Sequence, residues 1–385
     1  MPSPADLPAS DELPDPLVMF ADGSAVETAE AWRNRRRPEL KRLFAHYVYG
    51  YQPVAVPTGV REIKREPSFG GLVRYVELEV TYGDAPPATL SLFVPPDVAS
   101  PPVLLALNKC GNHSLSLEPA VTVGASWVDR PCGQAPDNRG IRDASWPVEA
   151  IVSRGYALAT VHESDIDPDD PFDERQDGVH PYFAVEAPSA DTRWGTLAAW
   201  AWGLSRMVDA LEQVPDVDAS RIATVGHSRR GKAALLAAAL DERIAMTIPH
   251  QSGTGGATLS RSYGGESVFA ITTFFPHWFD GLFAAFANEE PRLPIDQHLL
   301  VALVAPRPLM ASEGLEDDWA DPEGARLSVQ AASPVYELLG PSGVIISNDG
   351  SFELDAQLTW QTRPGGHSLQ ASDWQRFMDF ADLRL

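Results

Sequence analysis

The sequence predicts an α/β protein with a doubly wound, mostly parallel β-sheet and helices on both of its faces. Short apolar segments, typical of buried strands, alternate with segments of helical periodicity between residues 221 and 383. A glycine-containing turn joins one of these strands directly to a helix rich in Ala and Leu. Such βα units place their strands side by side and parallel, with the helices covering the sheet.

The N-terminal part of the chain predicts a short lead and a single domain. Residues 1–26 form an acidic, proline-rich N-terminal lead, and we expect residues 27–385 to fold as one catalytic domain, since α/β architectures of this length often form one unit. The lead lacks the basic and apolar regions of a secretory signal, and no apolar run is long enough to span a bilayer. The sequence as it stands predicts a cytoplasmic protein, or a secreted or periplasmic one if a signal peptide was removed.

Charge and cysteine content exclude several function classes. The chain has 53 acidic against 30 basic residues and a formal net charge of −23, which repels nucleic acid and anionic membrane surfaces, so we expect neither as a partner. Its two cysteines, Cys110 and Cys132, form no Cys-x-x-Cys pair, and no metal site is predicted. A disulfide between them and two free thiols are equally compatible with the sequence. The composition predicts no particular oligomeric state.

The first hundred residues predict a helix followed by one edge of the sheet. Residues 27–51 carry apolar side chains at helical spacing, with the basic run 33–37 on the exposed side. Two β-rich segments, 72–82 and 88–94, are separated by turn-forming residues and predict antiparallel strands at a sheet edge.

The middle of the chain predicts buried strands that lead into long loops. The wholly apolar segments 101–107 and 156–161 predict strands, and the polar segments that follow, 108–147 and 165–182, predict functional surface loops. Beyond them, helices are predicted at 194–211, 232–240, after 322 and at 374–383, and strands at 221–225, 244–249, 308–311 and 358–362.

The turn between the strand at 221–225 and the next helix places Ser228 in a setting that favours catalysis. A serine on such a sharp strand-to-helix turn is the nucleophile elbow of α/β-hydrolases: its backbone is strained, its hydroxyl is exposed, and the next backbone N–H, that of Arg229, can face an oxyanion. The usual pattern is Gly-x-Ser-x-Gly, whereas here Gly226 is followed by Gly231, one residue late. A serine that only caps the helix is the alternative interpretation.

A histidine and an acid follow Ser228 in the chain order of that fold. His367 lies in a glycine-rich turn before the last predicted helix, where an α/β-hydrolase has its catalytic histidine. The strand at 308–311 leads into Glu316, Asp317 and Asp318, any of which could orient an imidazole. The residue pattern alone leaves the choice among these three carboxylates open.

The elbow Gly226-His227-Ser228-Arg229-Arg230-Gly231-Lys232 resembles that of the glucuronoyl esterases, in which Gly-x-Ser-Arg-x-Gly is followed by lysine. Further similar segments run from about residue 32 to the C-terminus; they are 111–114, 252–257, 275–279, 305–308 and 363–367. The resemblance implies an α/β-hydrolase fold with three layers, α/β/α. It also implies hydrolysis, without a cofactor, of esters between glucuronic or 4-O-methylglucuronic acid of glucuronoxylan and an alcohol, as in lignin–carbohydrate links.

The same resemblance implies roles for individual residues. Ser228 would be the nucleophile, His367 the base and Arg229 an oxyanion donor. The sugar contacts would be Lys232, Glu266 and Trp319. Other interpretations are a general carboxylesterase or acetyl esterase on the same fold and a catalytically silent carbohydrate-binding protein.

The chain departs from part of this family at the acid. The carboxylate that often precedes Ser-Gly, after the strand that follows the elbow helix, is replaced by Gln251. Some bacterial members place the acid in the later loop instead, two residues before a tryptophan, and this pattern indicates Asp317 here. On that basis Gln251→Glu is expected to matter little, or to add a second acid.

Overall fold

A computed structural model describes residues 1–54, 56–124, 132–133, 135–172, 175–183 and 185–385. In this part of the chain one sheet contains the strands β1 Thr58–Ser68, β2 Val73–Tyr82, β3 Ala88–Val94, β4 Val103–Asn108, β5 Ala157–His162, β6 Ile222–His227, β7 Met246–His250, β8 Leu309–Gly314 and β9 Leu358–Arg363. Their order across the sheet is β1-β2-β3-β5-β4-β6-β7-β8-β9.

The type of strand pairing changes once across the sheet. Neighbouring strands from β1 to β3, and β3 with β5, are antiparallel, whereas every pairing from β5 to β9 is parallel. This confirms the mostly parallel sheet with antiparallel strands at one edge. The sequence prediction missed β1, because its Arg, Glu and Lys side chains are largely solvent-accessible and give no apolar pattern.

Helices cover both faces of the sheet, as predicted. The helical segments are α1 Ala29–Ala31, α2 Arg37–Tyr47, α3 Val148–Ser153, α4 Thr196–Leu211, α5 Arg229–Leu240, α6 Val268–Phe274, α7 Gln297–Ala302, α8 Pro322–Leu339 and α9 Ala371–Arg384. Successive residues of β4 enter different cores: Leu105 packs in the core that contains α4, α5, α7 and α8, and Leu104 in the core that contains α3 and α9. The sheet therefore separates two apolar layers.

In the N-terminal helical region, the burial of the basic residues differs from the prediction. A π-helical turn, Trp32–Arg36, joins α1 to α2, and the basic run is not wholly exposed as predicted, because Arg36 and Arg37 are buried. Arg36 forms an ion pair of 2.7 Å with Glu39 and donates to the carbonyl of Pro16. These bonds attach the N-terminal residues to the domain, since a buried guanidinium requires partners.

Two further features of the fold concern its cysteines and its helices. A disulfide joins Cys110 to Cys132, which decides between the two alternatives that the sequence left open. None of the helices in the described ranges combines the length and the apolar character needed to cross a membrane.

Candidate active site

Ser228 lies at the junction of β6 and α5 in a strained backbone conformation. Its φ is 60° and its ψ −131°, a region that non-glycine residues rarely adopt. A Cβ at Gly226 would lie 2.1 Å from the carbonyl oxygen of Arg230, and one at Gly231 would lie 2.7 Å from that of Gly226. Gly231 is thus the residue that packs against Gly226. This packing explains why the second glycine of the elbow stands one residue later than in the usual pattern.

The helix-capping interpretation of Ser228 does not fit this geometry. Among the described residues, the Ser228 side chain makes no capping hydrogen bond to α5. Its backbone N–H instead donates to the carbonyl of His250 at 2.9 Å, which fixes the turn to strand β7. Ser228 lines a cleft together with His367.

The structure brings Asp317 to His367. The Nδ1 of His367 lies 2.7 Å from Oδ2 of Asp317, whose side chain is buried while that of His367 is 35% exposed. Oδ1 of Asp317 accepts from the backbone N–H of Ala320. An imidazole that donates from Nδ1 presents an unprotonated Nε2, the state in which it can accept a proton.

The other two carboxylates of this loop make no such contact. Glu316 and Asp318 are exposed. Glu316 accepts a hydrogen bond from the backbone N–H of Gly365, so it holds the base of the His367 turn but not the ring. Of the three acids, Asp317 is the one that contacts the imidazole.

Gln251 binds the backbone on both sides of His367. Its Oε1 accepts from the N–H of Ser368 at 2.9 Å, and its Nε2 donates to the carbonyl of Gly366 at 2.9 Å. The same Oε1 accepts from Nε2 of His227 at 3.0 Å. Burial lowers the pKa of His227 well below its ordinary value, so this ring stays neutral beside that of His367. Where the family often has an acid, this chain thus has an amide that fixes the histidine loop.

These bonds change the expectation for Gln251→Glu. A carboxylate cannot donate to the carbonyl of Gly366, and the two oxygens would then face each other in a buried site. We expect kcat/KM for a uronate ester to fall by roughly ten-fold, measured at pH 8 with the melting temperature recorded in parallel. Gln251→Met, which is similar in size but lacks all three bonds, is the control and should lose at least as much. Unchanged activity of Gln251→Glu would show that the hydrogen bonds of Gln251 to Gly366 and Ser368 are not needed to position His367.

Arg229 is held by an acidic residue that the sequence analysis missed. Its guanidinium pairs with Asp169 and lies against the rings of Phe275 and Trp278, 4.9 and 4.5 Å from their centroids. Burial would raise the pKa of Asp169, but hydrogen bonds from His277 and Trp278 and the charge of Arg229 outweigh it and hold the pKa well below its ordinary value. Asp169 therefore remains ionised and anchors the arginine beside the elbow.

Lys232, Glu266 and Trp319 come together in one cavity. Together with Ser228 and His367 they line a space of about 220 Å³. The ammonium of Lys232 is buried and lies 2.9 Å from Oε2 of Glu266, and it also donates to the carbonyl of Thr254. Burial lowers the pKa of Lys232, and the carboxylate of Glu266 opposes that shift. Trp319 is 47% exposed and forms part of the rim.

A second buried acid lies near Asp317. Glu313, at the end of β8, is fully buried, and within the described residues neither of its carboxyl oxygens has a hydrogen-bond partner. Burial raises the pKa of Glu313 well above its ordinary value, and the charges of Asp317 and Asp321 raise it further. A neutral Glu313 adds no further negative charge beside the pair of Asp317 and His367. Within the same residues, no cluster of three or more His, Cys, Asp or Glu is placed to hold a metal ion.

Comparison with known proteins finds similar esterases. The family model "Glucuronyl esterase, fungi" matches residues 128–340. Carbohydrate esterase MZ0003, from an unknown prokaryotic organism, is 38% identical over 390 residues, which cover 96% of this chain and 89% of that protein. The 4-O-methyl-glucuronoyl methylesterase 1 of Wolfiporia cocos is 30% identical, with 88% and 75% covered.

Two solved structures are similar over nearly their full length. A promiscuous CE15 esterase from a marine bacterial metagenome has a TM-score of 0.90 at 37% identity, and the match covers 100% of this chain and 99% of that one. A glucuronoyl esterase from Solibacter usitatus has a TM-score of 0.88 at 35% identity, with 98% and 99% covered.

Proposed function

The chain belongs to the glucuronoyl esterases, a family of carboxylic ester hydrolases, and from this we propose that it hydrolyses esters of glucuronic or 4-O-methylglucuronic acid. The observation that carries the proposal is the pair of Asp317 and His367 beside a strained Ser228, in a cavity that also contains a buried ammonium. The natural substrate class would be the ester links between glucuronoxylan and lignin alcohols.

In this proposal the reaction proceeds through an acyl-enzyme. The Oγ of Ser228 attacks the ester carbonyl while Nε2 of His367 takes its proton, and Asp317 stabilises the imidazolium that forms. The backbone N–H and the guanidinium of Arg229 stabilise the oxyanion. The imidazolium then protonates the departing alcohol, and a water molecule, deprotonated by His367, hydrolyses the acyl-enzyme.

The cavity chemistry suits the sugar part of such a substrate. The ammonium of Lys232 has three N–H donors, and Thr254 and Glu266 accept from two of them, which leaves one for a sugar hydroxyl. The second oxygen of Glu266 can accept from another hydroxyl. The exposed face of Trp319 offers an apolar surface against which a pyranose ring can pack.

A panel of matched esters tests the proposal. We expect kcat/KM for benzyl glucuronate and methyl glucuronate to exceed that for benzyl and methyl acetate by at least about a hundred-fold, because only the uronates contact Lys232, Glu266 and Trp319. Steady-state kinetics with equal leaving alcohols measure this ratio. A ratio near one would favour a general carboxylesterase or acetyl esterase on the same fold.

Two controls separate the remaining alternatives. Trp319→Ala should raise KM for the uronate esters and leave the acetate esters unchanged, because this exposed ring contributes only to sugar binding in the proposal. Labelling of Ser228 by a fluorophosphonate would exclude a catalytically silent carbohydrate-binding protein.

A further inference from the structure

A second cavity adjoins the catalytic residues. It has a volume of about 380 Å³ and shares Ser228, Arg229 and His367 with the cavity that contains Lys232. Its remaining wall is different and includes Arg142, Lys109, Glu163, Arg230, Ser368 and Leu369. This size is within the range of small-molecule pockets.

The guanidinium and carboxylate groups that line this second cavity differ in number. Among the described residues of the lining, three guanidinium groups, those of Arg142, Arg229 and Arg230, face two carboxylates, those of Glu163 and Asp169. Both acids are already paired: Glu163 lies 2.8 Å from Nη1 of Arg230, and Asp169 binds Arg229. An excess of positive charge at this place contrasts with a protein whose net charge is −23.

Arg142 is the cation without an internal partner. Among the residues that the structure describes, no carboxylate forms an ion pair with its guanidinium and no acceptor is hydrogen-bonded to it, although the side chain is partly buried. Burial lowers the pKa of Arg142, and the charge of Arg230 lowers it further. Its backbone N–H donates to the carbonyl of Ser114, which holds the main chain in place. A guanidinium that lines a cavity and has no partner among the described residues is a binding group for a planar anion.

We propose that this second cavity holds the leaving alcohol of the ester and that Arg142 binds a carboxylate carried by that alcohol. The assignment rests on the proposed function, in which the uronate occupies the cavity of Lys232. The alcohol must leave past Nε2 of His367, and His367, Ser368 and Leu369 form one wall of the second cavity. A carboxylate at this position would make bidentate hydrogen bonds with Arg142 and relieve its repulsion by Arg230.

Glucuronate esters of different benzyl alcohols test this inference. We expect the 3- or 4-carboxybenzyl ester to be hydrolysed with a kcat/KM about ten-fold higher than the uncharged carbamoylbenzyl ester of the same shape. Arg142→Gln should abolish this preference and leave the benzyl ester within about two-fold of the parent, and Arg142→Lys should keep part of it. Arg33→Gln, which removes the same charge from an exposed position, is the control and should keep the full preference.

Three outcomes would overturn the inference. The first is that the parent enzyme hydrolyses the charged and uncharged esters with equal kcat/KM. The second is that Arg142→Gln keeps the preference for the charged ester, and the third is that Arg142→Gln lowers kcat/KM equally for all esters. Calorimetry makes the test independent of turnover: Ser228→Ala should bind 4-(hydroxymethyl)benzoate at least about ten-fold more tightly than 4-(hydroxymethyl)benzamide, and the added Arg142→Gln change should remove the difference. If no uronate ester is hydrolysed, the proposed function fails, and the calorimetry still decides whether Arg142 binds a carboxylate.

Discussion

Ser228→Ala is expected to lower kcat for benzyl glucuronate by about 10⁴ to 10⁶-fold while the folded structure is retained. The substitution removes one hydroxyl that makes no capping bond to α5, and the backbone bond from residue 228 to the carbonyl of His250 does not depend on the side chain. Serine and alanine both have a Cβ, so the strain at φ 60° is the same in the two proteins. Steady-state kinetics and thermal unfolding, followed by circular dichroism, measure the two quantities.

A matched serine provides the control for this substitution. Ser260 is buried, and in the described part of the chain its hydroxyl has no hydrogen-bond partner, so Ser260→Ala should change neither kcat nor the melting temperature appreciably. Fluorophosphonate labelling should disappear in Ser228→Ala and persist in Ser260→Ala. Activity near that of the parent in Ser228→Ala would place the nucleophile elsewhere.

Local sequence was sufficient to predict the elbow and the sheet around it. A strand, a sharp turn and a helix are adjacent in the chain between residues 222 and 240, so the position of Ser228 depends on few long-range contacts. The parallel strands β4 and β5 were recognisable because all of their residues are buried and most of their side chains are apolar. Strand β1 was not recognisable, because it lies at the edge of the sheet and its polar side chains are largely solvent-accessible.

The partners of the catalytic residues depended on contacts between distant segments. Asp169 and Arg229 are 60 residues apart, and Gln251 contacts Ser368 across 117 residues. Asp169 lies in a polar loop that contains several prolines and several acids, and no local pattern distinguishes one of these acids from another. For Gln251, the sequence indicated only that the acid of the family was absent. The hydrogen bonds of its amide to two distant backbone groups could not be predicted, because such bonds have no local sequence pattern.

The orientation of side chains within a loop also could not be predicted from the sequence pattern. Glu316, Asp317 and Asp318 are consecutive, and the resemblance to some bacterial esterases was needed to select the middle one. In the structure the backbone N–H of Asp317 donates to the carbonyl of Gly314, and its side chain turns inward while its two neighbours face solvent. One tight turn at the end of β8 therefore decides which carboxylate reaches His367.

Asp317→Asn should accordingly reduce kcat/KM for benzyl glucuronate by about 10³ to 10⁴-fold. An asparagine can keep the bond from the N–H of Ala320, so the fold should be retained, but it carries no charge to stabilise the imidazolium and can favour the wrong tautomer of His367. Steady-state kinetics measure the loss, and Asp317→Glu, which keeps the charge on a longer side chain, should recover part of the activity.

The neighbouring acids provide controls of the same chemical type. Glu316→Gln retains an oxygen that accepts from the N–H of Gly365, so we expect at most a several-fold loss, and Asp318→Asn should leave kcat/KM unchanged because that side chain is exposed. Asp317→Asn with nearly full activity, together with a large loss in Glu316→Gln or Asp318→Asn, would transfer the acid to that neighbour. If all three single variants remained active, His367 would work without a carboxylate from this loop, and its orientation would then depend on the bonds that Gln251 makes to Gly366 and Ser368.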